Sequence, residues 1–122
     1  MKNPILELSF AFALKIVAYC ELLEKQKKFI IANQLLKSGT SIGANIREAQ
    51  NPHSRADFIA KMIIAMKEAD ETSYWLDLCQ KSNNYPDPLE LQINVKEIIR
   101  LLSKIISTSK QNQNYEFQVN NF

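Results

Sequence analysis

The side chains that could do chemistry are few. The chain of 122 residues has one histidine and two cysteines. His53 follows Pro52 in a turn between two helical segments and has no glutamate three residues before it. A di-metal centre in a helical bundle needs Glu-x-x-His pairs on two helices, so none is expected. Acid–base work needs a placed partner, which leaves His53 as a solvated turn residue. Glu68, Asp70 and Glu71 form an acidic cluster in which Glu68 and Glu71 share a helix face. Two readings stand: a solvated face paired with Lys61 or Lys67, or inward carboxylates that hold the helices in register. Ser38, Thr40, Ser41 and Asn45 line the second helical segment, but without a histidine they make no nucleophile pair. Ser41 and Asn45, four residues apart, are expected to bond between helices. Cys20 and Cys79 sit in apolar segments with no C-x-x-C spacing, as core residues of a reducing compartment would. No catalytic residue, metal site or cofactor is expected.

The basic residues give a better hint of a ligand. Lys25, Lys27, Lys28, Lys37 and Arg47 follow one another with no acid between them, and Glu48 ends the run. The overall balance is 15 basic against 13 acidic residues, a net charge of +2, which demands no polyanion. On a helical wheel the five charges scatter, so they make no single-helix DNA-reading face. They are either plain solvation or weak patches that a ring of copies would concentrate. These five are the candidate nucleic-acid contacts. Tyr74 and Trp75 interrupt an apolar stripe. They could pack on the fourth helix, lie at a subunit interface or stack on bases.

Four helices must position these groups. The composition is 46% hydrophobic with only 2 glycines and 4 prolines, which excludes a disordered chain and most many-stranded sheets. The first helix spans about Pro4 to Glu24, with Asn3 as cap and Pro4 at the first helical position. Leu6, Phe10, Leu14 and Val17 form one apolar stripe; Ile5, Phe12, Ile16 and Leu23 form another. A helix apolar on two sides needs two partners: its own core and, on this reading, a neighbouring subunit. The second helix runs from Lys27 or Lys28 to Gln50 and carries both glycines, Gly39 and Gly43. Glycines four apart in a helix point to close packing, because each costs about 1 kcal/mol relative to alanine. Asn51-Pro52 breaks that helix. The third starts near Ser54, capped with Asp57, and continues to Lys81 with Phe58, Met62, Ala65, Met66, Ala69, Ser73 and Leu76 as its core face. Asp87-Pro88-Leu89-Glu90 opens the fourth, which Leu91, Val95, Ile98, Leu102, Ile105 and Ile106 carry to about Ser107. Short connections favour an antiparallel up-down-up-down four-helix bundle, all-α, over residues 1–109. Residues 110–122 are rich in Asn and Gln and are expected to be a flexible tail, or else to dock Tyr115, Phe117 and Val119 as an extended strand. No signal peptide or membrane-spanning stretch is evident, so the expected location is the cytoplasm, away from membranes.

The stretch from Gln34 to Ala49, with its S-I-x-A-N-I-x-E core, resembles the signature of the 23S rRNA intervening-sequence protein family. Asp57 to Met62 and the E-x-x-Y-W-L element within Lys67 to Leu76 extend the resemblance, as does Ala13 to Val17. Ser41, Asn45, Glu48, Glu68, Glu71 and Trp75 match signature positions, read as structural. Ala49 stands where the family pattern often has glycine. The resemblance implies a four-helix bundle that assembles as a homopentameric ring. It also implies kinship with the accessory variability determinant proteins of diversity-generating retroelements, which are basic and bind nucleic acid and reverse transcriptase. It supplies no catalytic residues. The expected role is a non-enzymatic oligomer that binds RNA, DNA or a ribonucleoprotein. The alternative is a structural scaffold that engages only protein partners.

Overall fold

Helix boundaries in this chain are set by local caps. In the computed structural model, which describes residues 3–120, the chain forms α1 (Pro4–Lys25), α2 (Phe29–Glu48), α3 (Arg55–Lys81) and α4 (Leu89–Asn120). The Asn3 side chain accepts a hydrogen bond from the Leu6 N–H, and Pro4 fills the first helical position. Ser54 caps α3 by accepting from the Asp57 N–H at 3.0 Å. Asp57 returns the favour one residue early, with its carboxylate accepting from the His53 N–H at 3.1 Å. Asp87 accepts from the Leu89 N–H at 3.1 Å, so α4 begins just after Pro88 rather than at it. The α1–α2 turn reverses the chain by placing Lys27 in the left-handed region, φ 63°.

Each helix packs on the next in chain order, and α4 closes back on α1. Among the described residues, no Cα of α1 lies within 8 Å of one in α3, nor of α2 in α4. The space between these diagonals is filled by side chains. Ile16, Leu23, Leu35, Ile42, Ile46, Leu76, Val95 and Leu102 are all shut off from solvent there. The two stripes of α1 separate as the pattern demands. Ile5, Phe12, Ile16 and Leu23 are buried, whereas Phe10 and Leu14 are each 59% exposed and Val17 is partly so. Leu6 is half-buried at the edge of the core.

The two glycines differ in what they permit. A Cβ on Gly39 would fall 2.8 Å from Ile16 Cγ2 and 2.9 Å from its Cγ1. Ile16 is fully buried and cannot yield without displacing the core. A Cβ on Gly43 would lie 3.4 Å from the Ser9 carbonyl oxygen, an ordinary contact. Polar groups complete the seams. The Ser38 and Thr72 hydroxyls pair at 2.9 Å between α2 and α3, in a site closed to solvent. Thr72 also lies 2.7 Å from the Glu68 carbonyl, which can only accept. Thr72 therefore gives its one hydrogen there, and Ser38 donates to Thr72. Tyr19 donates to the Pro86 carbonyl at 2.6 Å, tying α1 to the loop before α4.

Two expectations are corrected. The core face of α3 carries Ile59, Met62, Ala65, Ala69, Thr72, Leu76 and Cys79, with Ser73 displaced to a half-exposed position and Phe58 and Met66 at the edge. The buried set advances by three or four residues at each step, and Thr72 is on it because its hydroxyl bonds both Ser38 and the Glu68 carbonyl. The fourth helix does not stop near Ser107 but continues to Asn120, with Ser109 buried. The backbone at Tyr115, Phe117 and Val119 is therefore helical rather than extended. Nothing between Ser107 and Asn120 is a glycine or proline, and glutamine is a fair helix former, so a polar sequence continues the helix unaided. Asn121 and Phe122 lie outside the described residues.

The glycines should separate in a stability measurement. Gly43→Ala gains helix propensity without a clash and should raise stability by up to about 1 kcal/mol. Gly39→Ala meets Ile16 and should lower it by about 1–2 kcal/mol net of the same gain. Urea midpoints of the two variants against the parent check both signs.

Candidate functional site

The five basic residues of the Lys25–Arg47 run do not converge. Lys25 ends α1 and Lys27 sits in the turn, both exposed. Lys28 caps α2 without a side-chain hydrogen bond and lays its ammonium 4.6 Å from the Tyr85 ring centre. Such a cation over an aromatic face is attracted by the ring quadrupole. Lys37 is exposed near the middle of α2, close enough to Glu68 to favour its charged form. Arg47 is in the last turn of α2, a helix length of roughly 28 Å from Lys28. A run along the sequence thus becomes a cap at one end, a point on the α2–α3 seam and a point at the far end.

Arg47 has a defined setting. It borders an open groove of about 590 Å³ between α1 and α2, with Glu7 also on the wall and Ala13, Gly43 and Ala44 supplying small side chains. Phe10 also lines this groove, and its exposed stripe continues through Leu14. The groove is open because α1 and α2 approach closely on small residues while the bulky second stripe of α1 stays outside.

The signature positions have varied settings. Ser41 donates to the Lys37 carbonyl at 2.6 Å, and Asn45 donates to the Ser41 carbonyl at 2.8 Å. Both bonds lie within α2, so the expected interhelical role is not theirs; Ser38 and Thr72 hold it instead. Glu48 is 3.7 Å from Lys61, which also lies 3.8 Å from Asp57, in a partly exposed cluster that ties the α2 end to the α3 start. Lys61 therefore does not serve Glu68. Partial burial and the neighbouring Glu71 push the Glu68 carboxyl up, while Lys37 pulls it down. Trp75 packs against the core, with Tyr74 edge-on at 5.2 Å. Its indole N–H is buried with no acceptor among the described residues.

Cys20 and Cys79 are buried, as their apolar surroundings imply. Burial and the nearby Cys79 push the Cys20 thiol up to about 12. Burial also raises Cys79, partly offset by the Tyr19 hydroxyl beside it. Tyr19 is itself held far above its ordinary value, chiefly by burial. Neutral thiols of this kind are poor nucleophiles. Among the described residues no three His, Cys, Asp or Glu side chains are grouped to hold a metal ion, and no helix is long and apolar enough to cross a membrane.

This is an all-α four-helix bundle. Residues 1–108 match the family model described as 23S rRNA-intervening sequence protein, and the chain belongs to that family. It is similar to a solved structure from Bacteroides thetaiotaomicron VPI-5482, described as a protein with unknown function from the S23 ribosomal protein family. The two share 46% identity over 84% of this chain and 97% of the other, with a TM-score of 0.79. No curated protein matches the chain.

The buried thiols predict an alkaline weakness. An unfolded thiol ionises near 9, whereas folded Cys20 holds its proton to about 12. Stability is therefore full below about pH 9 and falls as pH climbs towards 12, because the unfolded chain releases protons that the fold retains. Urea midpoints should drop between about pH 8 and about pH 10.5, and Cys20→Ala should flatten that slope. Neither thiol should react with a thiol reagent until denaturant is added.

Proposed function

We propose that this chain is a non-catalytic, self-assembling bundle that binds nucleic acid or a ribonucleoprotein through basic surface in the cytoplasm. The observation that carries the binding is the acid-free stretch from Lys25 to Arg47, whose Lys25, Lys27, Lys37 and Arg47 all reach solvent. Cations free to meet phosphates make a sequence-independent, salt-sensitive interaction. Self-assembly is supported by the Phe10–Leu14–Val17 stripe beside the α1–α2 groove, an apolar face on a helix already buried on its other side. Family membership supports a ring of five copies. The antiparallel course is supported by the register of α1 and α2: Gly39 meets Ile16, and Gly43, further along α2, meets the earlier Ser9. In this reading residues 1–109 are the bundle and 110–122 an appended segment, consistent with a family match that ends at residue 108.

A second reading, a scaffold that binds only protein, is favoured by one feature. Phe29 and Ile30, the latter 85% exposed, stand beside the lysines of the α1–α2 turn. Apolar side chains amid charge suit a protein partner as well as a polyanion.

Light scattering should give a particle several times the 14.0 kDa chain mass. Phe10→Asp with Leu14→Asp should reduce it to a monomer with unchanged helix content. A monomeric parent would overturn the assembly. Gel shifts at low salt with labelled RNA and DNA should show binding that weakens as salt rises. No shift at low salt would leave the protein scaffold as the reading.

A further inference from the structure

The charge that α4 presents differs in kind from the scattered run. Lys96, Arg100 and Lys104 recur every four residues, and Lys110 follows, all exposed. At about 100° per residue these four fall within one arc of the helix. Ser103 and Ser107, also exposed, lie in the same arc. The arc is opposite Leu91, Val95, Ile98 and Leu102, which are buried against the core. From Lys96 to Lys110 the stripe spans roughly 21 Å. Among the described residues none of its four cations has an ion-pair partner within 4.0 Å.

The neighbouring helix adds to it. Lys67 on α3 and Lys110 on α4 flank a shallow groove with Ile63 and Met66 on one wall and Ser103 and Ser107 on the other. Gln92 donates to Asp77 further along the same seam, so α3 positions fall as α4 positions rise. That register carries Tyr74, 57% exposed, to the level of Lys96. The seam thus has phosphate-seeking cations and hydroxyls along α4, with apolar side chains and an aromatic ring along α3. Three acidic groups share it: Asp70 on α3, between Met66 and Tyr74 near the level of Arg100, Asp77, which accepts from Gln92 at the far end, and Glu97 on the flank of α4. No acid follows Glu97 until Glu116.

We infer that the α3–α4 seam is a binding surface for single-stranded nucleic acid, with the strand's phosphates along Lys96, Arg100, Lys104 and Lys110 and its bases turned towards Tyr74 and the Ile63–Met66 wall. A regular row of unpaired cations with aromatic and apolar surface alongside is what binding without sequence readout requires. An acidic protein would match the charge and the apolar wall, but a regular row of cations with a ring alongside is matched on both sides by a strand of phosphates and bases. This inference rests on the nucleic-acid reading above and assigns it a surface other than the Lys25–Arg47 run.

The test uses the full chain, a labelled single-stranded oligouridine and a duplex of equal length, with anisotropy read across a salt series. Three variants are compared with the parent: Lys96→Gln/Arg100→Gln/Lys104→Gln, Lys25→Gln/Lys27→Gln/Lys28→Gln, and Tyr74→Ala. All replaced side chains but Lys28 are exposed, and circular dichroism verifies the helices. The α4 triple should lose at least about tenfold in single-strand affinity at low salt, with the log–log salt slope shallower by about 2. Tyr74→Ala should lose about tenfold with the slope unchanged, and the turn triple should lose less than the α4 triple. A parent that binds equally well without the α4 charges overturns this inference and leaves the nucleic-acid reading standing. A parent that prefers the duplex overturns the single-strand assignment. A parent that binds neither probe at low salt overturns the nucleic-acid reading itself.

Discussion

The contact on which the rest of the bundle depends is Gly39 against Ile16. A fully buried isoleucine occupies the space that any side chain on Gly39 would need. Replacing a side chain with none gives up helix propensity and gains a close approach of α1 to α2. That approach seats Ile16 in the centre of the core and aligns the next turn, where Gly43 meets the Ser9 backbone. It also decides what stays outside. With α2 drawn against one edge of α1, the face bearing Phe10 and Leu14 stays exposed among the described residues. The core and the exposed groove are therefore products of the same small residues.

Polar contacts fix the remaining register. The Ser38–Thr72 bond, shut off from solvent, is lost if α3 slides on α2, which leaves Ser38 only a long 3.5 Å contact to the Leu35 carbonyl. Gln92 reaches both Asp77 and Gln80, which holds the start of α4 against the end of α3. Tyr19 reaches Pro86 and stands beside Cys79. The cysteines themselves lie on diagonal helices whose Cα atoms stay more than 8 Å apart. A disulfide needs them within about 7 Å, so Cys20 and Cys79 influence one another electrostatically yet cannot be bridged without moving helices. Their role is packing.

What was legible in the sequence was what local chemistry decides. Asn3-Pro4 and Ser54-x-x-Asp57 start helices because the capping groups sit within one turn of the N–H groups that they satisfy. The two stripes of α1 were equally plain, since eight bulky residues at helical spacing leave little choice. Pattern and structure part where side-chain type says little about environment. Thr72 and Ser73 are adjacent small hydroxyls, and only the presence of Ser38 across the seam tells which one is inside. Ser41 and Asn45 had the spacing for either an interhelical or an intrahelical bond, and the nearby backbone carbonyl won. The end of α4 carries no apolar period to read, yet lacks any residue that would stop a helix.

Charge was the least legible feature, for a geometrical reason. Residues consecutive in sequence point all round a helix, so an acid-free run is not a patch. Residues four apart share a face, so the three cations of α4 at that spacing form a row although acids and apolar residues lie between them. The cyclic order of the helices then separates two surfaces. The α1–α2 seam, with its groove and apolar stripe, is across the bundle from the α3–α4 seam, with its cations and Tyr74. Copies that meet through the first seam leave the second facing solvent. A ring built that way would repeat the α4 row once per copy, and several weak phosphate contacts held at fixed spacing bind a long strand far more tightly than one. On the proposed reading, the exposed apolar face of α1 and the charged face of α4 would serve one arrangement, in which assembly would supply the affinity that a single bundle of net charge +2 lacks.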